Sequence, residues 1–522
     1  MTSAGVARTL LAAAAGAATV FGFAPFDLPG VTVVGFAVLM TLWLDACPRE
    51  AARSGFAFGV GLFGAGSSWV YVAINTFGGM PMPLAATGTA IWTAYLALFP
   101  ALTGWLAARW TAPTSIARVL AAAAIWTLAE MFRGTGYTGF PWLALGYAQL
   151  PPDGTASPLA GYATLGGVWL VTLAVTLAGG ALALTVRAFA APARTQGLVL
   201  LAGAAAIAGG GFIAAGIEWT APAGAPVAVS LVQGNVPQDT KFDPSLRDET
   251  FRRYVDLVSE SRGRLVVLPE SAFPVFADEV PDPVLLHMLR TATARSGDVL
   301  AGVFTAEPPL PGRAEPRYYN SVVSLGEGEV QLYRKRHLVP FGETIPLEFL
   351  AGWFIRSVLE IPLAEQTPGD WAQPPMTVAG QRVAVNICYE DAFGGELRGQ
   401  AATATLLVNV TNDAWYGRSL AAVQHNQIAA MRALETGRPL LRATNTGITS
   451  AIDHRGSEIA RLPWFTRGIL ELEITGRQGM TPYVRWGDAV AIALCLLLLA
   501  AAAAVSLRSR LQFGSRRRLD SP

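Results

Sequence analysis

RVAVNICYEDAF, residues 382–393, is an apolar, β-branched run that stops at a cysteine followed by a tyrosine and two acids. A strand ending this way places Cys388 at its exit, where open α/β sheets gather their reactive and ligand-binding groups. Upstream, RLVVLPES (264–271) and VQLYRKRHL (330–338) end in the same fashion, on Glu270 and Lys335. A carboxylate base, a cation and a sulfur nucleophile are the parts that acyl transfer through a thioester needs. Each has an ordinary alternative. A lone cysteine is often a buried structural residue, a strand-end glutamate can be a surface carboxylate, and Lys335 can be a solvated member of the run RKR.

Outward from these segments, the chain from about 226 onward alternates short β-branched runs with helical stretches near 246–262, 283–296 and 421–436. That alternation predicts an α/β or α+β sandwich. The sandwich is enclosed by sequence of another kind. The 522-residue chain is 52% hydrophobic and only 14% charged, the composition of an integral membrane protein. Crossing ~30 Å of hydrocarbon takes roughly 20 helical residues. Apolar runs of that order lie near 6–24, 30–46, 55–75, 83–108, 115–132, 159–186, 196–216 and 489–507. The expected organisation is a polytopic bundle of about eight helices, with seven in residues 1–217, a globular domain over 218–487, an eighth helix over 488–510 and a basic tail over 511–522.

The run at 6–24 follows Arg8 as a signal peptide would, but FAPFDLPG is a poor cleavage context and another apolar run follows it. It is read as a retained helix. With the N-terminus inside, Arg49, Arg53, Arg109, Arg118, Arg187, Arg194 and the tail arginines fall on the inner side, against Arg133 alone in the outer loops. The positive-inside rule then puts the globular domain on the periplasmic or exterior face. Eight helices exceed what an anchor needs and suggest a lipid-facing chamber with a lipid-borne acyl group. The outer loops NTFGGMPMP (75–83) and FRGTGYTGFPWLALGY (132–147) carry Phe77, Tyr137, Phe140 and Trp142. These are either interfacial-belt aromatics or a grip for acyl chains.

A net charge of +1 provides no electrostatic case for a nucleic-acid partner. Cys47, Cys388 and Cys495 do not make a disulfide framework. His287, His337, His425 and His454 lack cysteine or carboxylate partners at zinc spacing, and no GxxxxGK[ST] phosphate loop occurs. No metal and no cofactor is expected.

The Glu–Lys–Cys constellation resembles that of the nitrilase, or carbon–nitrogen hydrolase, superfamily, and the chain as a whole resembles the bacterial apolipoprotein N-acyltransferases. The likeness rests on FAPFDLPG, TFGGMP, GFPWLALGY, LVQGNVPQ, LPES, YNSV, YRKRHLVPFGE, NICYED, NVTNDAWYG and RATNTGIT. It implies a nitrilase-like four-layer αββα sandwich on an eight-helix bundle of the bacterial inner membrane, acting as a monomer without a cofactor. It further implies transfer of an acyl chain from a phospholipid to the α-amine of the S-diacylglyceryl cysteine that begins an apolipoprotein.

On this pattern Cys388 is the nucleophile, Glu270 its base and Lys335 the cation that meets the oxyanion. Glu343 holds Lys335 or orders the attacking amine, and Tyr389, Glu390 and Asn320 shape the site. Trp415 and Tyr416, in NDAWYG, form a wall for acyl chains or simply pack. Phe242 stands where the family usually has tryptophan, keeping aromatic bulk and losing the indole N–H. Two rival readings are a membrane-tethered amidase acting on a small extracellular substrate and a non-catalytic lipid-binding protein. The number of helices weighs against the first and the intact triad against the second.

Overall fold

The computed structural model describes residues 3–136, 139–191, 193–309, 316–344 and 366–519; Tyr137 and the side chains of the tail from residue 509 lie outside the described residues. The apolar blocks are helical. Helices α1 (Ser3–Thr19), α2 (Gly30–Leu44) and α3 (Pro48–Gly66) are followed by a short α4 (Trp69–Val72), which runs into a π turn through Phe77. Then come α5 (Met82–Trp110), α6 (Ile116–Thr135), α7 (Ala163–Ala190) and α8 (Arg194–Ala215). Small residues let these helices touch. A Cβ on Gly16 of α1 would stand 2.0 Å from the Phe58 carbonyl of α3, and one on Gly61 of α3 the same distance from that of Ala13.

Among the described residues, five helices are long and apolar enough to cross a membrane, and six if the pair bent by 51° between α3 and the segment ending at Phe77 is one span. The sequence led us to expect eight. Two of the apolar runs fall short for separate reasons. Helix α2 has 15 residues, and α6 carries Arg118, Glu130 and Arg133, all buried. Polar residues of this kind face protein rather than lipid, which a count of apolar runs does not register. On α8, by contrast, Val199, Phe212 and Ile213 are each more than 60% exposed, as a lipid-facing surface requires.

The globular domain is two sheets back to back. One has the order β14 (Gly468–Ile474), β2 (Val227–Gln233), β3 (Leu265–Val267), β5 (Asp298–Glu307), β6 (Arg317–Gly326), β7 (Leu332–Arg334), with β4 (Phe273–Phe276) also on β5. The other runs β13 (Glu458–Arg461), β12 (Ser450–Ile452), β11 (Leu440–Thr444), β10 (Leu406–Thr411), β9 (Gln381–Ile387), β8 (Met376–Val378). A separate short ribbon pairs β1 (Thr220–Pro222) with β15 (Arg477–Gly479).

Period-two alternation sorts the layers. Val229, Leu231, Leu265 and Val267 point to a core shared with Val385, Ile387, Val408 and Val410 of the second sheet. Val232, Val266 and Leu268 point the other way, onto α9 (Arg247–Glu260) and α10 (Asp282–Thr293). The second sheet is covered by α11 (Gly394–Ala401) and α12 (Leu420–Thr436), and α13 (Pro482–Trp486) leads into α14 (Ala489–Leu519). This is the expected αββα sandwich.

Helix α12 is also the dock. Gln427 Oε1 accepts from Ala24 N at 3.1 Å, Gln424 Oε1 from Trp142 Nε1 at 2.8 Å, and Glu435 Oε1 from Val168 N at 2.7 Å. The loops after α1, α6 and the kinked start of α7 are thus held on the domain side. At the far end of the bundle Arg118 donates to the carbonyls of Trp43, Leu44, Ala46 and Thr111 at 2.9 to 3.0 Å. Replacing it strands several buried carbonyls at ~1–3 kcal/mol each. Arg118→Ala should therefore lower the melting temperature of the detergent-solubilised protein. Arg118→Lys should recover only part of the loss, because a point charge cannot fork to four acceptors.

Candidate active site

Each of the three sequence candidates leaves its strand at the same edge of the two sheets. Glu270 follows β3 by three residues, Lys335 follows β7 directly and Cys388 follows β9 directly. A Cβ on Gly302 of β5 would stand 2.4 Å from the Pro269 carbonyl and 2.8 Å from Glu270 Cα, so glycine is what lets β5 lie under LPES. Lys335 N donates to Asn320 O of β6 at 2.8 Å, continuing the ladder past β7. Cys388 turns the chain sharply with φ of +56°. Left-handed backbone at a non-glycine residue is costly and persists where neighbours over-determine it.

The side chains meet in a cavity of about 190 Å³ that Glu270, Asn320, Lys335, Glu343 and Cys388 line together. Lys335 Nζ donates to Glu343 Oε1 at 2.7 Å and lies 3.5 Å from Glu270 Oε1. Asn320 Nδ2 donates to Glu270 Oε1 at 2.7 Å and reaches Glu343 Oε1 at 3.5 Å. Glu343 is itself fixed, its Oε2 accepting from Val339 N at 2.8 Å. Burial by itself would lower the Lys335 pKa, but the carboxylates of Glu343 and Glu270 outweigh it and hold the ammonium above its ordinary value. Burial and the Glu270 carboxylate push the Cys388 thiol up, with Lys335 pulling the other way. At rest the sulfur is protonated.

Phe242, Trp415 and Tyr416 line the same cavity, and so do Ala73, Ile74 and Gly78 from the helical region. Phe77 stands outside the lining, its ring 6.4 Å from that of Trp415. Trp142 is buried beneath the site, stacked on Tyr389 at 6.1 Å. Tyr389 turns from the cavity to donate to the Gly139 carbonyl at 3.0 Å. Glu390 also faces away. It accepts from the backbone of Ile387, Arg336 and His337 and from Tyr333 Oη, clamping the strand ends that bear Cys388 and Lys335. Burial raises its pKa to about 7, against the pull of those backbone donors.

A family model described as the apolipoprotein N-acyltransferase N-terminal domain matches residues 15–181, and one described as carbon-nitrogen hydrolase matches 228–482. A protein named apolipoprotein N-acyltransferase from Nitrosomonas europaea is 46% identical over 493 residues, covering 93% of this chain and 95% of the relative. The chain belongs to the apolipoprotein N-acyltransferase family. Relatives of the same name from Chromobacterium violaceum and Ralstonia nicotianae are 42% and 43% identical, each covering 92% of this chain and 90% of its own. The enzyme is accordingly an acyltransferase built on a carbon–nitrogen hydrolase domain.

Reading residues one stretch at a time missed two features of this family member. His425 does meet carboxylates, Asp391 and Asp413, each at 2.8 Å. They come from other elements, and no local spacing signals them. Among the described residues no group of His, Cys, Asp and Glu is arranged to hold a metal ion. Lys241, beside Phe242, is buried, and its Nζ donates to the Glu270 carbonyl at 3.0 Å. Phe242 signalled an aromatic position, and nothing local marked its neighbour as a second buried lysine.

Burial lowers the Lys241 pKa from the ordinary 10.5 to about 8, with Glu270 opposing. Below about 8 the lysine is charged in both the folded and the unfolded chain, and its burial cost is fully present. Between about 8 and 10.5 only the unfolded chain keeps the proton, so this group makes stability rise with pH across that window. Lys241→Met should flatten the rise, read as the difference between the two proteins in melting temperature against pH.

Proposed function

We propose that this acyltransferase moves an acyl chain from a membrane phospholipid to the α-amine of the N-terminal S-diacylglyceryl cysteine of apolipoproteins, with Glu270, Lys335 and Cys388 carrying the reaction. The observation that supports this most is the wall formed by Ala73, Ile74 and Gly78, through which the helical region contributes directly to the cavity around Cys388. A hydrolase of small soluble substrates has no need of that wall.

In the proposed sequence Glu270 takes the Sγ proton and the thiolate attacks the phospholipid ester carbonyl. The tetrahedral oxyanion forms beside Lys335 and the backbone N–H groups at the start of the turn that begins with Cys388. Collapse expels the lysophospholipid, which takes its oxygen-bound proton from Glu270, and a thioester remains. The lipoprotein amine then attacks, Glu270 accepts its proton, and the sulfur leaves as the amide forms. Glu343 and Asn320 keep Lys335 and Glu270 aimed at one point. Phe242, Trp415 and Tyr416 supply apolar surface for acyl chains. Phe77 and Trp142 back that surface without touching the cavity.

The proposed organisation is a multi-pass inner-membrane monomer with transmembrane helices in 1–217, an outward-facing catalytic domain over 218–487, a last span over 488–510 and an inner tail over 511–522. Two observations support the sidedness. Loops beginning at Phe23, Gly66 and Gly139 meet the domain, whereas Asp45 pairs with Arg187 and Arg118 gathers carbonyls at the opposite end. In cells whose outer barrier is breached, an impermeant thiol reagent should label Asp153→Cys, while the native, exposed Cys47 should react only after lysis. Labelling of Cys47 without lysis would reverse the orientation.

A site closed to water leaves the thioester waiting for an amine. Enzyme given phospholipid alone should release about one lysophospholipid per active site and stall with one acyl group on Cys388. A diacylglyceryl-cysteine peptide with a free α-amine should restart release, and the amine-blocked peptide should not. Lys335→Ala should slow adduct formation ~100 to 1000-fold, and Glu270→Gln and Cys388→Ser should abolish it. Continuous fatty-acid release without acceptor would establish hydrolysis instead.

A further inference from the structure

On the carbonyl side of Cys388, four ionisable side chains from four elements close a buried ring. His425, on α12, sets Nε2 2.8 Å from Asp391 Oδ1 and Nδ1 2.8 Å from Asp413 Oδ1. Arg442, on β11, donates from Nη1 to Asp391 Oδ2 at 2.8 Å and from Nη2 to Asp413 Oδ2 at 3.1 Å. Each carboxylate therefore has one oxygen on the arginine and the other on a ring nitrogen of the histidine. A carboxylate oxygen bound on its other side to an arginine meets the imidazole as an acceptor. Hydrogens must then sit on both ring nitrogens. None of the four side chains is more than 1% exposed.

We propose that His425 is a permanently charged imidazolium that positions Cys388 by holding its carbonyl. The proposal rests on reading Cys388 as the nucleophile. The Cys388 carbonyl accepts from Asn409 Nδ2 at 3.1 Å and lies 3.3 Å from His425 Nε2. Asn409 Oδ1 in turn accepts from Arg442 Nη1 at 2.7 Å, so one of the groups that grip the carbonyl belongs to the ring of charges and the other is held by it. This is the over-determination that a φ of +56° demands at a cysteine.

The count of charges supports the same conclusion. Two carboxylates against two cations sum to zero. A neutral imidazole would leave an uncompensated negative charge beside a sulfur that must itself become negative. Burial and Arg442 press the His425 pKa down, but Asp391 and Asp413 together leave it above the ordinary 6.5. The other ring facing it is uncharged, that of Trp142 at 5.3 Å.

Two measurements test this. Nuclear magnetic resonance of isotopically labelled histidine in the solubilised full-length enzyme, with His425 assigned by its loss in His425→Gln or, if that variant does not fold, by its perturbation in Trp142→Phe, should show both nitrogens protonated well above the free-histidine pKa of about 6.5. A single-proton tautomer there would overturn the proposal. Second, His425→Gln should slow acylation of Cys388 by phospholipid ~100-fold, the scale of a small misplacement of a reacting group, with KM for phospholipid unchanged. Adding Asp413→Asn to His425→Gln restores the charge balance and should recover about tenfold of that loss. Acylation at the wild-type rate by His425→Gln, or a folded double variant with no recovery, would refute the positioning role. If Cys388 of the wild-type enzyme takes no acyl group, the nucleophile reading fails and the positioning role with it, while the resonance measurement still reports the charge. Should the glutamine variant not fold, the protonation state decides alone.

Discussion

Charge without water is the condition on which this architecture depends. Around Cys388 nearly every ionisable side chain is buried, and a buried charge is tolerable only beside an opposite one with its hydrogen bonds made. Lys335 is met by Glu343 and Glu270, His425 and Arg442 by Asp391 and Asp413, and Arg432 by Glu435. Removing one member of such a group leaves its partner stranded, at a cost of about 3–5 kcal/mol. Apart from Arg432 and Glu435, which share α12, the partners come from different strand ends, turns or helices, so the pairing fixes geometry. The two sheets and α12 are therefore locked in register by the same contacts that surround the sulfur.

That pairing extends into the helical region. Glu130 of α6 accepts from Trp126 Nε1, Leu145 N and Thr172 Oγ1, and Arg133 donates to the carbonyls of Phe140 and Trp142. With Arg118 these two residues spoil α6 as an apolar span, and they hold the 139–146 loop beneath the domain. Trp142 then stacks on Tyr389 next to the proposed nucleophile. In the proposed function, a domain docked by polar contacts over an aromatic floor, with helical residues in its cavity wall, admits acyl chains and keeps water out, which is how transfer would be favoured over hydrolysis.

Much of this was legible in the amino-acid sequence. Abrupt ends to apolar runs marked Glu270, Lys335 and Cys388 at strand exits, and β-branched runs alternating with helical stretches announced an α/β or α+β sandwich. Both are local signals, because a strand's burial and its termination are written in consecutive residues. The motif resemblance added Glu343, Asn320, Phe242, Trp415 and Tyr416, all of which line one cavity. Where the reading was incomplete, the determinant was not local. Apolar runs near 30–46 and 115–132 looked alike in sequence. One proves to be a helix of 15 residues, and the other buries three charged side chains against its neighbours.

Strand exits, and the glutamate, lysine and cysteine that stand at them, are thus properties of the sequence, since each follows from neighbours within a few residues. What faces what belongs to the tertiary structure. Tyr389 and Glu390 adjoin Cys388 in the chain, yet one turns to the Gly139 loop and the other clamps β7 and β9 from behind. Lys241 and His425 carry no motif of their own and acquire their importance from partners 29 and 34 residues away. Charges that must be neutralised in a water-poor interior find their partners across the fold, and only folding reveals which ones they find.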